Sequence, residues 1–158
     1  MKIGILADSH DNVPALKKAV NYFNELEVSW VIHAGDLIAP FVSKPLSQLN
    51  SDFVAVFGNN DGEKFGLGKA LSGKIHRAPY TLNYKEKSIL ILHEPDNLEI
   101  LASAGEFDAI IYGHTHQPDI QSGKTLIINP GECGGWLYGR RTIAFWDTEN
   151  QDARIITI

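Results

Sequence analysis

Two histidines one residue apart, His114 and His116, follow the apolar run Ile110-Ile111-Tyr112 and a glycine, Gly113. An extended segment sends alternate side chains to one side, so two neutral imidazole nitrogens can converge on one metal centre or on two adjacent ones. Taken alone, such a pair fits a surface loop equally well. The pattern recurs, however: an apolar stretch ends, and a side chain able to bind a metal follows. Asp8 and His10 follow Ile3 to Ala7, Asp36 follows Trp30 to Gly35, Asn59, Asn60 and Asp61 follow Phe53 to Gly58, and His93 follows Ile89 to Leu92. Oxygen and nitrogen donors mixed in this way suit borderline divalent metals. The acids, amides and glycines among them are also turn and cap residues, and Asp11 and Asn12 are better read as caps of the next helix.

The stretches that carry these residues are short, β-rich and apolar, and read as buried strands over 3–7, 30–33, 53–57, 88–92 and 110–112. Between the first two, Val13, Leu16, Ala19, Val20, Phe23 and Leu26 recur at three- and four-residue steps behind Pro14, which predicts an amphipathic helix. Strand, helix, strand implies a right-handed parallel crossover that brings Asp8 and Asp36 to the same carboxyl edge of one sheet. A second helix is expected over 40–49, broken at Pro45, and a short one over 98–104. Residues 63–74 hold three glycines and little periodicity, and read as irregular with one helical turn. Residues 75–84 and 88–92 read as a hairpin, and strands over 125–129, 142–146 and 153–158 close the chain. His33 precedes a strand end and is expected to be a buried, hydrogen-bonded core histidine; His76 reads as structural or exposed, and Arg140 with Arg141 as a solvated pair.

The totals narrow the function. The 158 residues suit one domain spanning 1–158. A net charge of −5 with scattered Lys and Arg gives no footprint for polymeric nucleic acid. One cysteine, Cys133, cannot pair within the chain, which suits a reducing cytoplasm. No stretch resembles a signal peptide or has the length of a membrane span. A homo-oligomer is left open. Seven candidate donors, Asp8, His10, Asp36, Asn59, His93, His114 and His116, exceed the about four that a single zinc takes. With a carboxylate able to bridge, they suit a pair of divalent ions about 3.5–4 Å apart acting on a phosphorus centre.

The ordered set Asp8-x-His10, Gly35-Asp36, Gly58-Asn59, His93 and Gly113-His114-x-His116 resembles the motifs of the calcineurin-like metallophosphoesterases, above all their small bacterial and archaeal phosphodiesterase branch. The resemblance covers nearly the whole chain. It implies an α/β fold, a four-layer sandwich of two mixed β-sheets flanked by helices. It further implies that Asp8, His10, Asp36 and His116 hold one ion and Asp36, Asn59, His93 and His114 the other, with Asp36 as the bridge. The activity implied is hydrolysis of a small phosphodiester through a hydroxide bridging two divalent metals, manganese first, with nickel, iron(II), zinc, cobalt or magnesium admitted by the same donors. Asn59, Asn60 and His93 would face the substrate. Asn60 stands where many members of the superfamily have a histidine that protonates the leaving group, and an amide is a poor proton donor, which leaves the general acid unidentified. A phosphomonoesterase or pyrophosphatase is the nearer alternative, and a non-catalytic interaction scaffold of the same fold the more distant one.

Overall fold

A computed structural model describes residues 1–158. Strands β1 (Lys2–Leu6), β2 (Trp30–His33) and β3 (Asp52–Val56) run parallel, and β4 (Ile75–His76) extends them in the same direction. Helix α1 (Val13–Glu25), a 3₁₀ turn (Pro40–Val42) with the short α2 (Ser43–Leu46), and α3 (Lys64–Ala70) make the crossovers between them. A second sheet has β6 (Lys87–Ile91), β7 (Ala109–Ile111) and β9 (Leu126–Pro130) in parallel at its centre, with β5 (Tyr80–Tyr84) and β8 (Pro118–Gln121) antiparallel at its edges. Helix α4 (Leu98–Ala104) links β6 to β7, and β10 (Thr142–Asp147) and β11 (Asp152–Thr157) return to the first sheet antiparallel to β1. Both sheets are therefore mixed, in the orders β11-β10-β1-β2-β3-β4 and β5-β6-β7-β9-β8.

Strand alternation sorts the core into layers. Ile3 and Ile5 of β1, Ile32, Val54 and Val56 meet Leu82, Ile89, Ile91, Ile111 and Ile128 between the two sheets. On the outer face of the first sheet, Leu6, Val31, Phe53 and Ala55 pack on Leu16, Ala19 and Phe23 of α1. On the outer face of the second, Leu90, Leu92, Ile110 and Tyr112 meet Leu98 and Leu101 of α4. This is the helix, sheet, sheet, helix sandwich implied by the motifs. Gly4 shows how tight the α1 contact is, because a Cβ there would lie 2.5–2.9 Å from three ring atoms of Phe23. Gly4→Ala is accordingly expected to destabilise the protein by about 2 kcal/mol through overpacking, read as a lower urea midpoint at unchanged slope.

Three expectations need correction. Residues 75–84 are not one strand: Pro79, which has no N–H to give a ladder, interrupts the run, so β4 pairs with β3 in one sheet while β5 pairs with β6 in the other. Residues 63–74 contain a helix of seven residues, α3, because Leu67 and Leu71 share a face that buries in the α1 layer despite Gly66 and Gly68. The edge strand β8 directly after the histidine pair was not anticipated. Elsewhere Asn12 caps α1, its side-chain oxygen accepting from the Ala15 N–H at 3.2 Å, while Asp11 accepts instead from the N–H of Ala39 at 3.0 Å.

His33 is fully buried, with Nε2 2.9 Å from the Ser9 hydroxyl. Burial, only partly opposed by the Asp36 charge, pulls its pKa from 6.5 down to about 3. Above pH 6.5 neither the folded nor the unfolded chain holds a proton there, and this contribution to stability is complete. As the pH falls through 6.5 toward 3 only the unfolded chain takes up the proton, so stability drops by about 1.4 kcal/mol per pH unit. Urea unfolding of the metal-free protein at pH 6 and pH 5 should show this extra slope, and His33→Gln, which keeps a partner for Ser9, should remove it.

Candidate metal centre

Parallel strands in both sheets end at one rim. Asp8 follows β1, Asp36 follows β2, Asn59 follows β3, His93 follows β6, and His114 and His116 follow β7. Backbone bonds tie these ends together, from the Asp8 N–H to the Gly35 carbonyl at 3.0 Å and from the His10 N–H to the Asp36 carbonyl at 3.1 Å. All seven candidate donors thus stand at this rim. Two triplets, Asp8 with His10 and His116, and Asp8 with Asp36 and His93, have donor atoms within 4.8 Å of one another.

The orientation of the rings says what the cluster is built for. Nδ1 of His93 donates to the Ala34 carbonyl at 2.8 Å, since a carbonyl can only accept. The lone pair of the neutral ring then lies on Nε2, which faces Asn59 Oδ1 at 2.8 Å and Asp36 Oδ2 at 3.5 Å. Nδ1 of His114 is 3.0 Å from that same Asn59 oxygen. On the other side, Nδ1 of His116 donates to Glu132 Oε2 at 2.9 Å, which turns Nε2 toward Asp8 Oδ1 at 3.5 Å. His10 Nε2 is 3.4 Å from Asp36 Oδ2 and 4.0 Å from Asp8 Oδ1, and is buried without a hydrogen-bond partner. Acceptor atoms that face one another away from water need a proton or a cation among them. The donor set therefore fits divalent metal.

The charges point the same way. Burial, with the Asp36 charge adding to it and His93 and His116 opposing, pushes the Asp8 carboxyl up to about 7. Burial acts on Asp36 in the same sense, but the hydrogen bond it receives from His93 when that ring is protonated, together with those from Asn60, outweighs burial and holds this carboxyl below the ordinary range. Burial also works against a charged His93, yet the bond and charge of Asp36 prevail and raise its pKa. Two acids packed together split their proton affinities, and a bound cation removes the conflict by favouring both carboxylates.

A second layer holds the donors. Asp36 Oδ1 accepts from the Asn60 N–H at 2.9 Å and Oδ2 from the Asn60 side-chain amide at 2.7 Å, so Asn60 commits one amide hydrogen to this carboxylate. Asp61, grouped by sequence with the candidate ligands, turns its carboxylate to the N–H groups of Asp36, Ile38 and Gly58 at 3.1, 2.7 and 2.7 Å, and braces the rim instead. Gly58 leaves room for this, because a Cβ there would overlap Asp36 Oδ1 and come 2.5 Å from the Asp36 nitrogen. Glu132, which the sequence reading did not single out, is 1% exposed and accepts from His116 and from the N–H groups of Trp136, Leu137 and Tyr138 at 2.8, 3.0 and 2.6 Å. The available signal was its position after β9, one more parallel strand ending at the same rim. Asp8, His10, Asp36, His114 and His116 all have positive φ, between 40° and 69°.

Residues 1–151 match the calcineurin-like phosphoesterase superfamily domain. The chain is 38% identical over its whole length to phosphodiesterase MJ0936 of Methanocaldococcus jannaschii, covering 99% of that protein. It is 29% identical to phosphodiesterase YfcE of Escherichia coli K12, over 83% of this chain and 78% of its relative. The solved structure of an archaeal phosphodiesterase superposes with a TM-score of 0.92 at 38% identity, over the full length of both chains. Motif order, the two-sheet sandwich and the converging donors thus agree with these likenesses, and the chain belongs to the calcineurin-like phosphoesterase superfamily.

Proposed function

We propose that this chain, a hydrolase of the phosphoesterase class, cleaves small phosphodiesters at a centre of two divalent metals, manganese first among them. Asp8, His10, Asp36 and His116 would hold one ion, and Asp36, Asn59, His93 and His114 the other. The observation that carries the reading is the set of ring nitrogens whose outer partners, Ala34 and Glu132, turn their lone pairs toward Asp8, Asp36 and Asn59. Divalent ions bound there supply Lewis acidity, making water more acidic and neutralising charge on the phosphoryl oxygens.

The chain's own residues do the rest. Asn59 and His114 are exposed at the rim while Asp8, Asp36 and His93 lie beneath, so an ester approaches from the Asn59 side. Asn59, Asn60 and His93 border that approach, and the amide hydrogen of Asn60 not given to Asp36 is placed for a substrate oxygen. An amide cannot protonate a departing alkoxide, so esters with acidic leaving groups should react fastest. The buried free thiol of Cys133 suits the reducing cytoplasm proposed as its location. The two relatives named as phosphodiesterases support the choice of diesters.

Metal analysis followed by assay tests the reading. Protein stripped with chelator should lose turnover of bis-p-nitrophenyl phosphate, and manganese should restore it, with diester preferred over p-nitrophenyl phosphate. Turnover that survives stripping would remove the metals from the reaction, and a preference for the monoester would move the assignment to a phosphomonoesterase.

A further inference from the structure

A cleft of about 1100 Å³ opens beside the candidate metal centre, with Asn59 and His93 forming part of its wall. It exceeds the roughly 300–1,000 Å³ usual for small-molecule sites, so it holds far more than a phosphoryl group. It lies over the outer face of the second sheet beside α4, none of whose residues is fully buried, and Leu90 of β6, the following Leu92 and Leu101 of α4 line it with apolar surface. Phe65 stands at its edge, 89% exposed on α3. Lys64 and Arg77 border it and join none of the protein's ion pairs, although Glu94 and Asp96 border it too. Lys64 Nζ lies 5.8 Å from the centre of the Phe57 ring. Apolar surface left open next to a reaction centre is the usual mark of a binding groove.

Resting on the diesterase reading, we propose that this cleft seats one ester arm of the substrate and that the arm is aromatic. Phe65 offers a face on which a flat ring can stack, Leu90 and Leu92 line its edge, and the two unpaired cations favour an electron-rich ring over an aliphatic chain. Aromatic alcohols also depart without a proton donor, in keeping with an amide at Asn60. Asn59 and His93 belong both to the cleft wall and to the donor cluster, so an arm lying in the cleft can reach from there to a phosphorus at the metal centre.

Binding, measured apart from turnover, tests this. In calorimetric titrations of the manganese-loaded protein, phenylphosphonate should bind about tenfold more tightly than methylphosphonate, a ratio set by one aromatic contact. Phe65→Ala, at an exposed position, should bring that ratio close to one, and Arg77→Gln should lower it. Equal affinities in the wild type, or a ratio untouched by Phe65→Ala, would overturn the proposal. So would a dimer in sedimentation that Phe65→Ala dissociates, because the cleft would then be an interface between copies. A phenyl preference in protein that cleaves no phosphodiester would keep the aromatic seat and overturn the diesterase reading alone.

Discussion

Asp36→Asn should reduce turnover of bis-p-nitrophenyl phosphate at least a hundredfold while leaving the fold intact. The side chain keeps its size, so the layers around it are not disturbed. What changes is charge and hydrogen-bond sense. Asp36 accepts from the Asn60 backbone at Oδ1 and from the Asn60 side chain at Oδ2, and the same Oδ2 has His10 Nε2 and His93 Nε2 at 3.4 and 3.5 Å, so this one oxygen faces both halves of the donor cluster. An amide offers one oxygen in place of two, and its NH₂ would meet either the Asn60 amide or the Asn60 N–H, donor against donor. Removing a group outside the ligand shell of a metal already costs about 10- to 100-fold, and loss of Asp36, proposed above as the ligand shared by both ions, should cost more. Turnover in the presence of saturating manganese, with circular dichroism as the control for folding, measures the effect; activity within a few-fold of wild type would remove Asp36 from the centre.

Glu132→Gln should weaken metal binding about 10- to 100-fold without abolishing it, and loosen the segment 136–138. The carboxylate accepts four hydrogen bonds, from one imidazole and three backbone N–H groups, and those bonds, led by Leu137 and His116 and opposed by burial, hold its pKa below the ordinary glutamate range. Oε2 takes the bonds from His116, Trp136 and Leu137 and Oε1 the one from Tyr138. Glutamine accepts through one oxygen only, so its NH₂ would be set against at least the Tyr138 N–H and leave it unpaired at a cost of about 1 kcal/mol. His116 Nδ1 would then donate to a neutral amide oxygen in place of a carboxylate, a weaker bond that holds its hydrogen on Nδ1 less firmly and lowers the basicity of Nε2. Trp136 provides a second readout, because its indole N–H donates to the His10 carbonyl at 3.1 Å. Manganese titration should show the lower affinity, and tryptophan emission should change as the indole loses its bond to the His10 carbonyl. A stability loss with unchanged manganese affinity would make Glu132 a brace of the loop and nothing more.

Both substitutions bear on how far the sequence reveals such a site. Asp8, Asp36, Asn59, His93 and the His114/His116 pair were legible because each follows an apolar strand with at most a glycine or two small residues between, and parallel strands can only deliver such residues to one edge. Glu132 was hidden because its work is done through three amides and one ring that are near in space, in a glycine-rich loop without periodicity. The two roles of the pair Asn60 and Asp61, one amide on Asp36 and one carboxylate on backbone N–H groups, depend on rotamers that composition cannot choose. The fold was legible where alternation was clean and failed where one β-like run served both sheets, as in β4 and β5, or where Gly66 and Gly68 masked the helical pair Leu67 and Leu71.

The left-handed backbone at Asp8, His10, Asp36, His114 and His116 sets chemistry against durability. Each such residue costs about 1 kcal/mol that glycine or asparagine would largely avoid, and five of them approach the 5–15 kcal/mol by which whole domains are stable. A descendant released from hydrolysis would gain robustness by drifting toward glycine and asparagine at those positions. Retention of the costly side chains at every one of them is what continued selection for turnover would look like in a lineage.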